Sequence, residues 1–228
     1  MNIKYNRILS TITLIIFINF GFAQENKITI KFIGNCGLYM TDGVSNIYSD
    51  FPYKSGAHNY MEFDNSELDS IKSNSIFIFT HKHSDHYSEK NIKKVIKEKN
   101  GKKYGSWNIE ELEKLGESIP NFKIQAFKTK HKFSINHYSY LITWHNKKIF
   151  LSGDTESAEV IGNIENIDWA FVPYWVLLDA KDNNIKIDTK MYAIYHLATV
   201  QAPSAKKNWG DLENYHPLIE QGEIITIE

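Results

Sequence analysis

Packed β-sheets with helices on the outside are the fold that the sequence predicts. The chain has 228 residues, of which 42% are hydrophobic and 14% aromatic, and this is enough for one well-packed domain. Segments with strand character come in two groups along the chain, and helical segments separate them. The sequence contains no internal repeats, low-complexity tracts or linkers rich in Pro, Gly or Ser. These observations predict a single folded domain over residues 24–228.

Residues 1–23 differ in composition from the rest of the chain. A short basic segment carrying Lys4 and Arg7 precedes a mostly apolar, uncharged run over residues 8–22, and Ala23 follows. This order is typical of a secretory signal peptide. A transmembrane anchor is the alternative, but the run is shorter than the roughly 20 residues that span a bilayer. We therefore predict export to the periplasm or the extracellular space, with no stable membrane anchor after cleavage.

Charge and cysteine content limit the partners of the predicted domain. Residues 24–228 contain 24 lysines against 27 acidic residues, a net charge of −3, which gives no general attraction to nucleic acid. Arg7 is the only arginine, so a bound anion must be held by lysine, backbone N–H groups or metal. Cys36 is the only cysteine, so an internal disulfide is excluded, and we expect Cys36 to be a small buried core residue. The expected partner is a small-molecule substrate, and the oligomeric state stays open.

Alternating and continuous apolar patterns predict the strands. Four strands come first, with a turn at residues 34–37, and they cover residues 27–33, 38–41, 46–49 and 75–80. Helical spacing of apolar residues predicts helices over residues 89–99 and 110–115. Six more strands follow, over residues 122–129, 138–144, 148–151, 168–172, 191–195 and 223–227. The polar segment 177–190 is either a helix or an open loop.

Three histidines and an aspartate lie within six residues, directly after the apolar strand 75–80. They are His81, His83, Asp85 and His86. On an extended backbone His81 and His83 point to the same side, so both imidazoles reach one ion. Asp85 and His86 follow as the chain turns and reach a second ion beside the first. Zinc and similar metals favour imidazole and carboxylate ligands, so this segment predicts metal binding.

Three further candidate ligands lie at strand ends. His131, Asp154 and His196 follow three of the predicted strands, and ligands at successive strand ends converge on one edge of a sheet. Gly153 permits the sharp turn that exposes the Asp154 carboxylate. His137 is an alternative to His131, but it opens the next strand, and its position therefore favours His131.

The remaining histidines fit no ligand position. We expect His58 and His145 to be exposed loop residues, and whether His216 reaches the site stays open. Residues 173–175 contain two aromatic side chains on the metal side of a strand. These side chains either line the pocket or pack in the core, and core packing is favoured.

The order of these motifs resembles the metallo-β-lactamase superfamily. The carriers of the resemblance are His-x-His-x-Asp-His after an apolar strand, a single His, Ser-Gly-Asp-Thr, and a strand-terminal His. Ile33-Gly34-Asn35 with Ser49-Asp50 resembles the opening hairpins of the lactonase-like and general hydrolase branches. The resemblance covers nearly all of residues 24–228. It implies an α+β fold, a four-layer αββα sandwich with the metals at one edge.

The same resemblance implies a role for each candidate ligand. The implied ligands are His81, His83 and His131 for the first ion, Asp85, His86 and His196 for the second, and Asp154 as the bridge. Asp50 either supports the metal loop from outside the ligand set or is a strand-terminating turn residue.

A binuclear metal-dependent hydrolase is the function that this ligand set predicts. Two divalent ions, Zn²⁺ first with Mn²⁺ and Fe²⁺ as alternatives, would share a hydroxide that attacks a carbonyl carbon or a phosphorus atom. Asp85 would bind a metal and would also orient the nucleophile or carry its proton. The expected substrate is a small ester, lactone or phosphoester. Hydrolysis of β-lactams by a periplasmic enzyme and a non-catalytic metal-binding module are the alternatives.

Overall fold

Two six-stranded sheets make up most of the chain that the computed structural model describes, residues 27–201 and 214–228. The predicted signal peptide over residues 1–23 lies outside the described residues. The strands of the first sheet are β1 (Ile28–Gly34), β2 (Gly37–Thr41), β3 (Asn46–Ser49), β4 (Ile76–Ile78), β5 (Lys102–Tyr104) and β12 (Ile224–Ile227). They lie in the order β12-β1-β2-β3-β4-β5. The strand β1 pairs antiparallel with β2 and β12, whereas β3, β4 and β5 run parallel to one another.

The second sheet is built from the second half of the chain. Its strands are β6 (Phe122–His131), β7 (Ser134–Trp144), β8 (Lys147–Leu151), β9 (Ile167–Val172), β10 (Thr189–Ile194) and β11 (Tyr215–Pro217). They lie in the order β11-β10-β9-β8-β7-β6. The strands β6, β7 and β8 form an antiparallel meander, and β8, β9, β10 and β11 run parallel.

Within residues 27–201 and 214–228, five α-helices connect or flank the strands. They are α1 (Ser66–Ser70), α2 (Glu89–Lys99), α3 (Ile109–Glu113), α4 (Glu159–Gly162) and α5 (Tyr174–Asp182). The helix α2 begins where the Ser88 hydroxyl accepts the Asn91 N–H at 3.3 Å, a side-chain N-cap. It ends at Lys99, and the C-cap residue Asn100 has a left-handed φ of 53°. None of the helices in the described ranges is long and apolar enough to span a membrane.

Three apolar clusters define four layers. The largest cluster lies between the sheets, where Ile30 of β1 and Ile142 of β7 belong to the same core. A second cluster joins the outer face of the first sheet to α2, and a third joins the outer face of the second sheet to α4 and α5. The strand β8 shows the alternation directly, because Ile149 and Leu151 face the other sheet while Phe150 faces the helices. The predicted α+β sandwich, in αββα order, is confirmed.

Most predicted elements are present with small shifts of their ends. The helix over residues 89–99 has the predicted bounds, and the strand predicted over 75–80 is shorter, Ile76–Ile78. The segment 177–190 is not an open loop throughout, because α5 extends to Asp182. This helix forms in spite of its polar residues because Val176 and Ala180 are buried against the outer face of the second sheet.

Six chain segments that carry candidate site residues end at the same edge of the sandwich. In the first sheet, β1, β3 and β4 point the same way, so the turn after β1 lies beside the ends of β3 and β4. In the second sheet, β6, β8 and β10 share one direction. Side chains that directly follow these strands therefore converge at one edge.

Candidate metal centre

Main-chain hydrogen bonds fix the loop that carries the predicted histidine motif. Thr80, the last residue before the motif, accepts the Tyr138 N–H through its carbonyl oxygen at 3.0 Å, which ties the loop to β7. The carbonyl oxygen of His83 accepts the N–H groups of His86 and Tyr87 at 3.0 and 2.8 Å, so the loop turns between the two pairs of predicted ligands. The pair His81 and His83 and the pair Asp85 and His86 are therefore directed at two neighbouring groups of ligand atoms.

The first group of candidate ligands consists of His81, His83 and His131. Each offers one nitrogen, and these nitrogens lie within 4.8 Å of one another. Nδ1 of His83 is 3.1 Å from Nε2 of His131, while Nε2 of His83 contacts the Phe133 carbonyl oxygen at 3.4 Å. Nδ1 of His81 contacts the Thr80 hydroxyl at 3.1 Å, which leaves its Nε2 directed at the group.

The second group surrounds Asp154, which reaches both groups. Its two carboxylate oxygens lie 3.0 Å from Nε2 of His86 and 3.1 Å from Nε2 of His196. Its Oδ2 is also 3.9 Å from Nε2 of His81 and 3.8 Å from Nε2 of His131. Oδ2 of Asp85 is 3.3 Å from Nε2 of His196. Asp154 thus lies between the two groups, as a bridging ligand would.

These spacings fit divalent metal ions. Ligand atoms that share a four-coordinate zinc ion lie about 3.3–3.8 Å apart, because each is about 2.0–2.3 Å from the metal. The Nε2 atoms of His81, His86 and His196 are buried and make no hydrogen bond of acceptable geometry with any described residue. A buried nitrogen without a partner costs free energy, and a bound ion supplies that partner. The donor set of imidazoles and carboxylates is also one that zinc favours.

The pKa shifts of the residues in the second group indicate that it favours positive charge. Burial alone would lower the pKa of His86, but the carboxylates of Asp154 and Asp50 outweigh it and hold the pKa well above its ordinary value. Burial would likewise raise the pKa of Asp154, but His196 and His86 hold it well below its usual range. In the first group, burial lowers the pKa of His81. A neutral His81 keeps its lone pair available to a metal.

Asp50 supports the metal loop, the segment 80–86 that carries the histidine motif, through contacts with Thr80 and His86. Its Oδ1 accepts the Thr80 N–H at 2.8 Å, and its Oδ2 accepts the Thr80 hydroxyl at 2.8 Å. Oδ2 also lies 3.0 Å from Nδ1 of His86, so Nε2 of His86 faces the second group. This carboxylate–imidazole contact is the usual support of a metal-binding histidine. Of the two interpretations of Asp50, the structure favours support of the loop.

His137 lies behind the candidate ligands and is not one of them. Its Nε2 accepts the Asp154 backbone N–H at 2.9 Å, and its Nδ1 lies 2.7 Å from the Thr129 hydroxyl. Because Nε2 accepts, the proton of the neutral ring is on Nδ1. Burial lowers the pKa of His137 to about 3, so the ring stays neutral. The structure brings His131, rather than His137, into the first group.

Cys36 lies against the second group of candidate ligands. The sequence did not predict this proximity. The residue is 1% exposed, and its Sγ is 3.9 Å from Oδ1 of Asp154. Its Sγ and one ligand atom from each of His86, Asp154 and His196 all lie within 4.8 Å of one another. Burial, followed by the nearby Asp154 carboxylate, raises the pKa of the Cys36 thiol well above its ordinary value. The expectation of a buried residue is confirmed, but it omitted this polar neighbourhood.

A cavity of about 490 Å³ is lined by five of the seven candidate ligands, His83, Asp85, His131, Asp154 and His196, whereas His81 and His86 are fully buried. Its other lining residues are His58, Tyr60, Lys132, Phe133, Glu156 and Trp175. Trp175 packs edge-on against the His196 ring at a centroid distance of 5.1 Å and donates its indole N–H to the Thr155 carbonyl oxygen. The sequence favoured core packing for the aromatic residues after β9, and Tyr174 and Trp175 do pack against the outer apolar cluster of the second sheet, while Trp175 also lines the cavity.

Three histidines outside the ligand set also have defined places. Nε2 of His58 lies 3.2 Å from the Ser84 hydroxyl and 4.0 Å from Oδ1 of Asp85, so this exposed histidine borders the site. His145 is not an exposed loop residue, because its side chain is 11% exposed and contacts Asp42 at 2.9 Å. His216 contacts Glu223 at 2.9 Å and does not line the cavity. Proximity of His58 to the metal loop arises through the fold, and no local sequence signal indicates it.

Two packed sheets, helices on both outer faces and a histidine–aspartate cluster at one edge define the metallo-β-lactamase fold. Comparison of the sequence with protein-family models and with curated proteins gives no match. Among solved structures, Igni18, a metallo hydrolase from the archaeon Ignicoccus hospitalis KIN4/I, is 15% identical, with a TM-score of 0.62 over 89% of this chain and 99% of that chain.

Two further solved structures have the same fold. The metallo-β-lactamase fold protein YhfI from Bacillus subtilis is 15% identical, with a TM-score of 0.56 over 88% of this chain and 99% of that chain. An isothiocyanate hydrolase from Delia radicum gut bacteria is 11% identical, with a TM-score of 0.51 over 86% of this chain and 98% of that chain. At these identities the likeness establishes the fold.

Proposed function

We propose that the protein is a binuclear metal-dependent hydrolase that cleaves a small ester, lactone or phosphoester. One observation carries the proposal: five of the predicted ligands line a single cavity of about 490 Å³, and all seven form two adjoining groups. These residues are His81, His83, Asp85, His86, His131, Asp154 and His196. Clusters of this kind in a concave site are characteristic of catalytic metal centres.

The ligands divide between two ions. His81, His83 and His131 would hold the first ion, and Asp85, His86 and His196 would hold the second, with Asp154 shared between them. When bound, two divalent ions supply a nucleophile from water at neutral pH and polarise the bond that is cleaved. Zinc is the first choice because it suits this mixture of imidazole and carboxylate ligands.

Asp85 has a second role in the proposal. Its carboxylate is 4% exposed and lines the cavity; burial acts to raise its pKa, but His196 and His86 together outweigh burial and lower the pKa. Asp85 is therefore ionised at neutral pH and able to accept a proton from the attacking water. His58, 4.0 Å from Asp85, lies at the solvent side and connects this carboxylate to the outside.

The cavity suits a small molecule. Its volume of about 490 Å³ is within the range of ligand pockets, roughly 300–1,000 Å³. Tyr60, Phe133 and Trp175 supply apolar walls, and Lys132 supplies a cation at the rim. Because residues 24–228 contain no arginine, Lys132 and the metals are the groups that hold an anionic part of the substrate.

Metal analysis combined with a substrate panel tests the proposal. The protein is loaded with zinc, the metal content per chain is measured, and turnover of an ester, a lactone, a phosphodiester and a β-lactam is recorded. We expect two ions per chain and turnover of one of the first three substrates. Asp85→Ala is expected to lower kcat by at least about 100-fold, the lower end of the range for general base catalysis.

A matched histidine pair controls for non-specific effects. His131→Ala removes a candidate ligand, whereas His216→Ala removes a histidine that contacts Glu223 outside the cavity. Only the first change is expected to lower metal content and turnover. One ion per chain contradicts the binuclear centre, and two ions without turnover contradict the enzyme. Turnover of the β-lactam alone replaces the proposed substrate class.

Export is proposed on the composition of residues 1–23 alone. Expression of the full chain in a bacterial host with fractionation tests it. The expected product is a periplasmic or secreted protein whose mass corresponds to a chain that begins at residue 24. A cytoplasmic product that retains residues 1–23 contradicts the proposal.

A further inference from the structure

The turn between β1 and β2 brings a sulfur atom to the candidate metal centre. We propose that the thiolate of Cys36 is a direct ligand of the ion held by His86, Asp154 and His196. This inference rests on the metal centre proposed above, in which Asp85 is also a ligand of this second ion, and it adds a fifth ligand of a different chemical class. On coordination the metal replaces the thiol proton, which passes to solvent.

The distances between Sγ of Cys36 and the neighbouring ligand atoms are the first argument for coordination. Sγ of Cys36 is 3.9 Å from Oδ1 of Asp154, and all four ligand atoms lie within 4.8 Å of one another. Where a sulfur and an oxygen ligand of one zinc ion subtend about a tetrahedral angle, they lie about 3.5 Å apart, because the Zn–S and Zn–O distances are about 2.3 and 2.0 Å. The distance between Sγ and Oδ1 therefore exceeds the zinc-bound spacing by about 0.4 Å, and a bound ion would draw the four ligand atoms closer together.

Unpartnered imidazoles supply an independent observation. His86 is fully buried and His196 is 2% exposed, and Nε2 of each makes no hydrogen bond of acceptable geometry with a described residue. Both nitrogens are directed at the volume that Sγ borders. A cysteine that served only to fill the core would have apolar neighbours on every side. Cys36 instead has apolar neighbours between the sheets and a carboxylate with two imidazoles on its other side.

The backbone of the turn is tied to both ligand-bearing loops. Asn35 precedes Cys36 and has a left-handed φ of 50°. Its side-chain amide donates to the Asp85 carbonyl oxygen at 2.9 Å, and its own carbonyl oxygen accepts the His196 N–H at 3.1 Å. These two bonds hold Cys36 in register with Asp85 and His196. The position of the sulfur is thus a consequence of the same contacts that position the other ligands.

A thiolate ligand changes the expected metal preference. The sequence-based ligand set of His and Asp does not distinguish Zn²⁺, Mn²⁺ and Fe²⁺. A soft sulfur ligand favours zinc and disfavours manganese, which prefers oxygen ligands. We therefore expect Cys36→Ser to weaken binding of one of two zinc ions by roughly 10-fold or more, since even indirect supports of metal sites have effects of this size. Manganese binding is expected to change less.

Cobalt substitution tests the sulfur ligand by a signal that does not depend on activity. Co²⁺ bound to the protein shows visible d–d bands, and a thiolate ligand adds an intense charge-transfer band in the near ultraviolet. Cys36 is the only cysteine, so that band is assignable to it. We expect the band in the unaltered chain and in Met40→Leu, a volume-conserving change in the same core, but not in Cys36→Ser.

X-ray absorption of the zinc-loaded, unaltered chain needs no variant. It is expected to show a sulfur scatterer at about 2.3 Å, one for every two zinc ions. Cobalt d–d bands without the charge-transfer band, together with only nitrogen and oxygen scatterers around zinc, overturn the sulfur ligand and leave the proposed metal centre intact. Absence of metal binding altogether overturns both.

Discussion

Asp50 is a single residue whose three contacts link β3, β4 and the metal loop. Its carboxylate accepts from the backbone and side chain of Thr80 and contacts Nδ1 of His86. The contact with Nδ1 fixes the proton on that nitrogen and leaves Nε2 free for a metal. One buried carboxylate therefore sets both the position of the loop and the tautomer of a candidate ligand.

Asp50→Asn is expected to weaken zinc binding about 10- to 100-fold, the usual effect of losing a carboxylate that supports a metal-bound histidine. Asparagine tolerates the left-handed φ of 47° at this position, so the backbone is expected to persist. Competition with a chromophoric chelator measures the zinc affinity. Asp42→Asn is the matched control, because Asp42 contacts His145 away from the cavity. Equal affinity in Asp50→Asn and the unaltered chain would remove Asp50 from its supporting role.

Individual site residues were predictable where the signal is local. His81 and His86 stand in one short motif, and His131 and Asp154 directly follow segments whose apolar patterns are clear. Cys36 was predicted only as a core residue, because it is 118 positions from Asp154 and no sequence pattern connects them. Cys36 and Asp154 come together only because the two sheets pack against each other. This packing depends on contacts between residues that are far apart in the sequence.

At the scale of elements, the turn after β8 presents Asp154 through Gly153. Gly153 has a φ of 57°, and a Cβ at this position would lie 2.6 Å from Nε2 of His137 and 2.8 Å from Cβ of Thr80. Both neighbours are buried parts of the site's support. Glycine is therefore required here for space as well as for the backbone conformation.

Gly153→Ala is expected to destabilise the fold by more than about 2 kcal/mol, since steric overlap adds to the backbone strain. It is also expected to weaken zinc binding, because His137 and the Asp154 N–H must separate. Gly43→Ala is the control: its φ of 88° is also positive, but no atom lies within 4 Å of the added Cβ. Urea unfolding and zinc titration measure the two effects. If both variants lost the same free energy of unfolding and zinc affinity stayed unchanged, steric overlap at Gly153 would be contradicted.

Elements with strong local patterns were predictable, and those decided by packing were not. The helix α2 has a clear apolar face, and the bounds predicted from it agree with the structure. The helix α5 carries several polar residues, and the sequence left 177–190 as helix or loop. Burial of Val176 against the second sheet decides for a helix up to Asp182. The sequence of residues 177–190 alone does not indicate that a sheet will pack against this segment.

At the scale of the whole molecule, the two sheets place acidic and imidazole groups together without a disulfide to hold them. Asp85 and Asp154 are each 4% exposed, and burial of carboxylates is unfavourable unless positive charge accompanies it. In the metal-free chain, protonated His86 and His196 supply that charge, which is why their pKa values are raised. In a metal-bound chain the ions would supply it, and both imidazoles would be neutral.

Zinc is therefore expected to stabilise the fold, and to do so more strongly as the pH rises from about 6 to 8. At a free zinc concentration 100 times the Kd, binding contributes about 2.7 kcal/mol, and Tm rises by about 5–10 °C for a chain of this length. The raised pKa values of His86 and His196 stabilise the metal-free fold fully below pH about 6.5, and this contribution is lost as the pH rises. Metal binding has the opposite sign, because protons compete with the ions as the pH falls.

Thermal unfolding at several pH values, with zinc and with a chelator, measures this difference. The gap between the two Tm values should widen with pH in the unaltered chain and in His216→Ala. His196→Ala is expected to narrow the gap at every pH, since it removes a ligand and a raised pKa together. A gap that is independent of pH would mean that protons and metal ions do not compete for the same imidazoles. The buried charges would then be compensated elsewhere in the molecule.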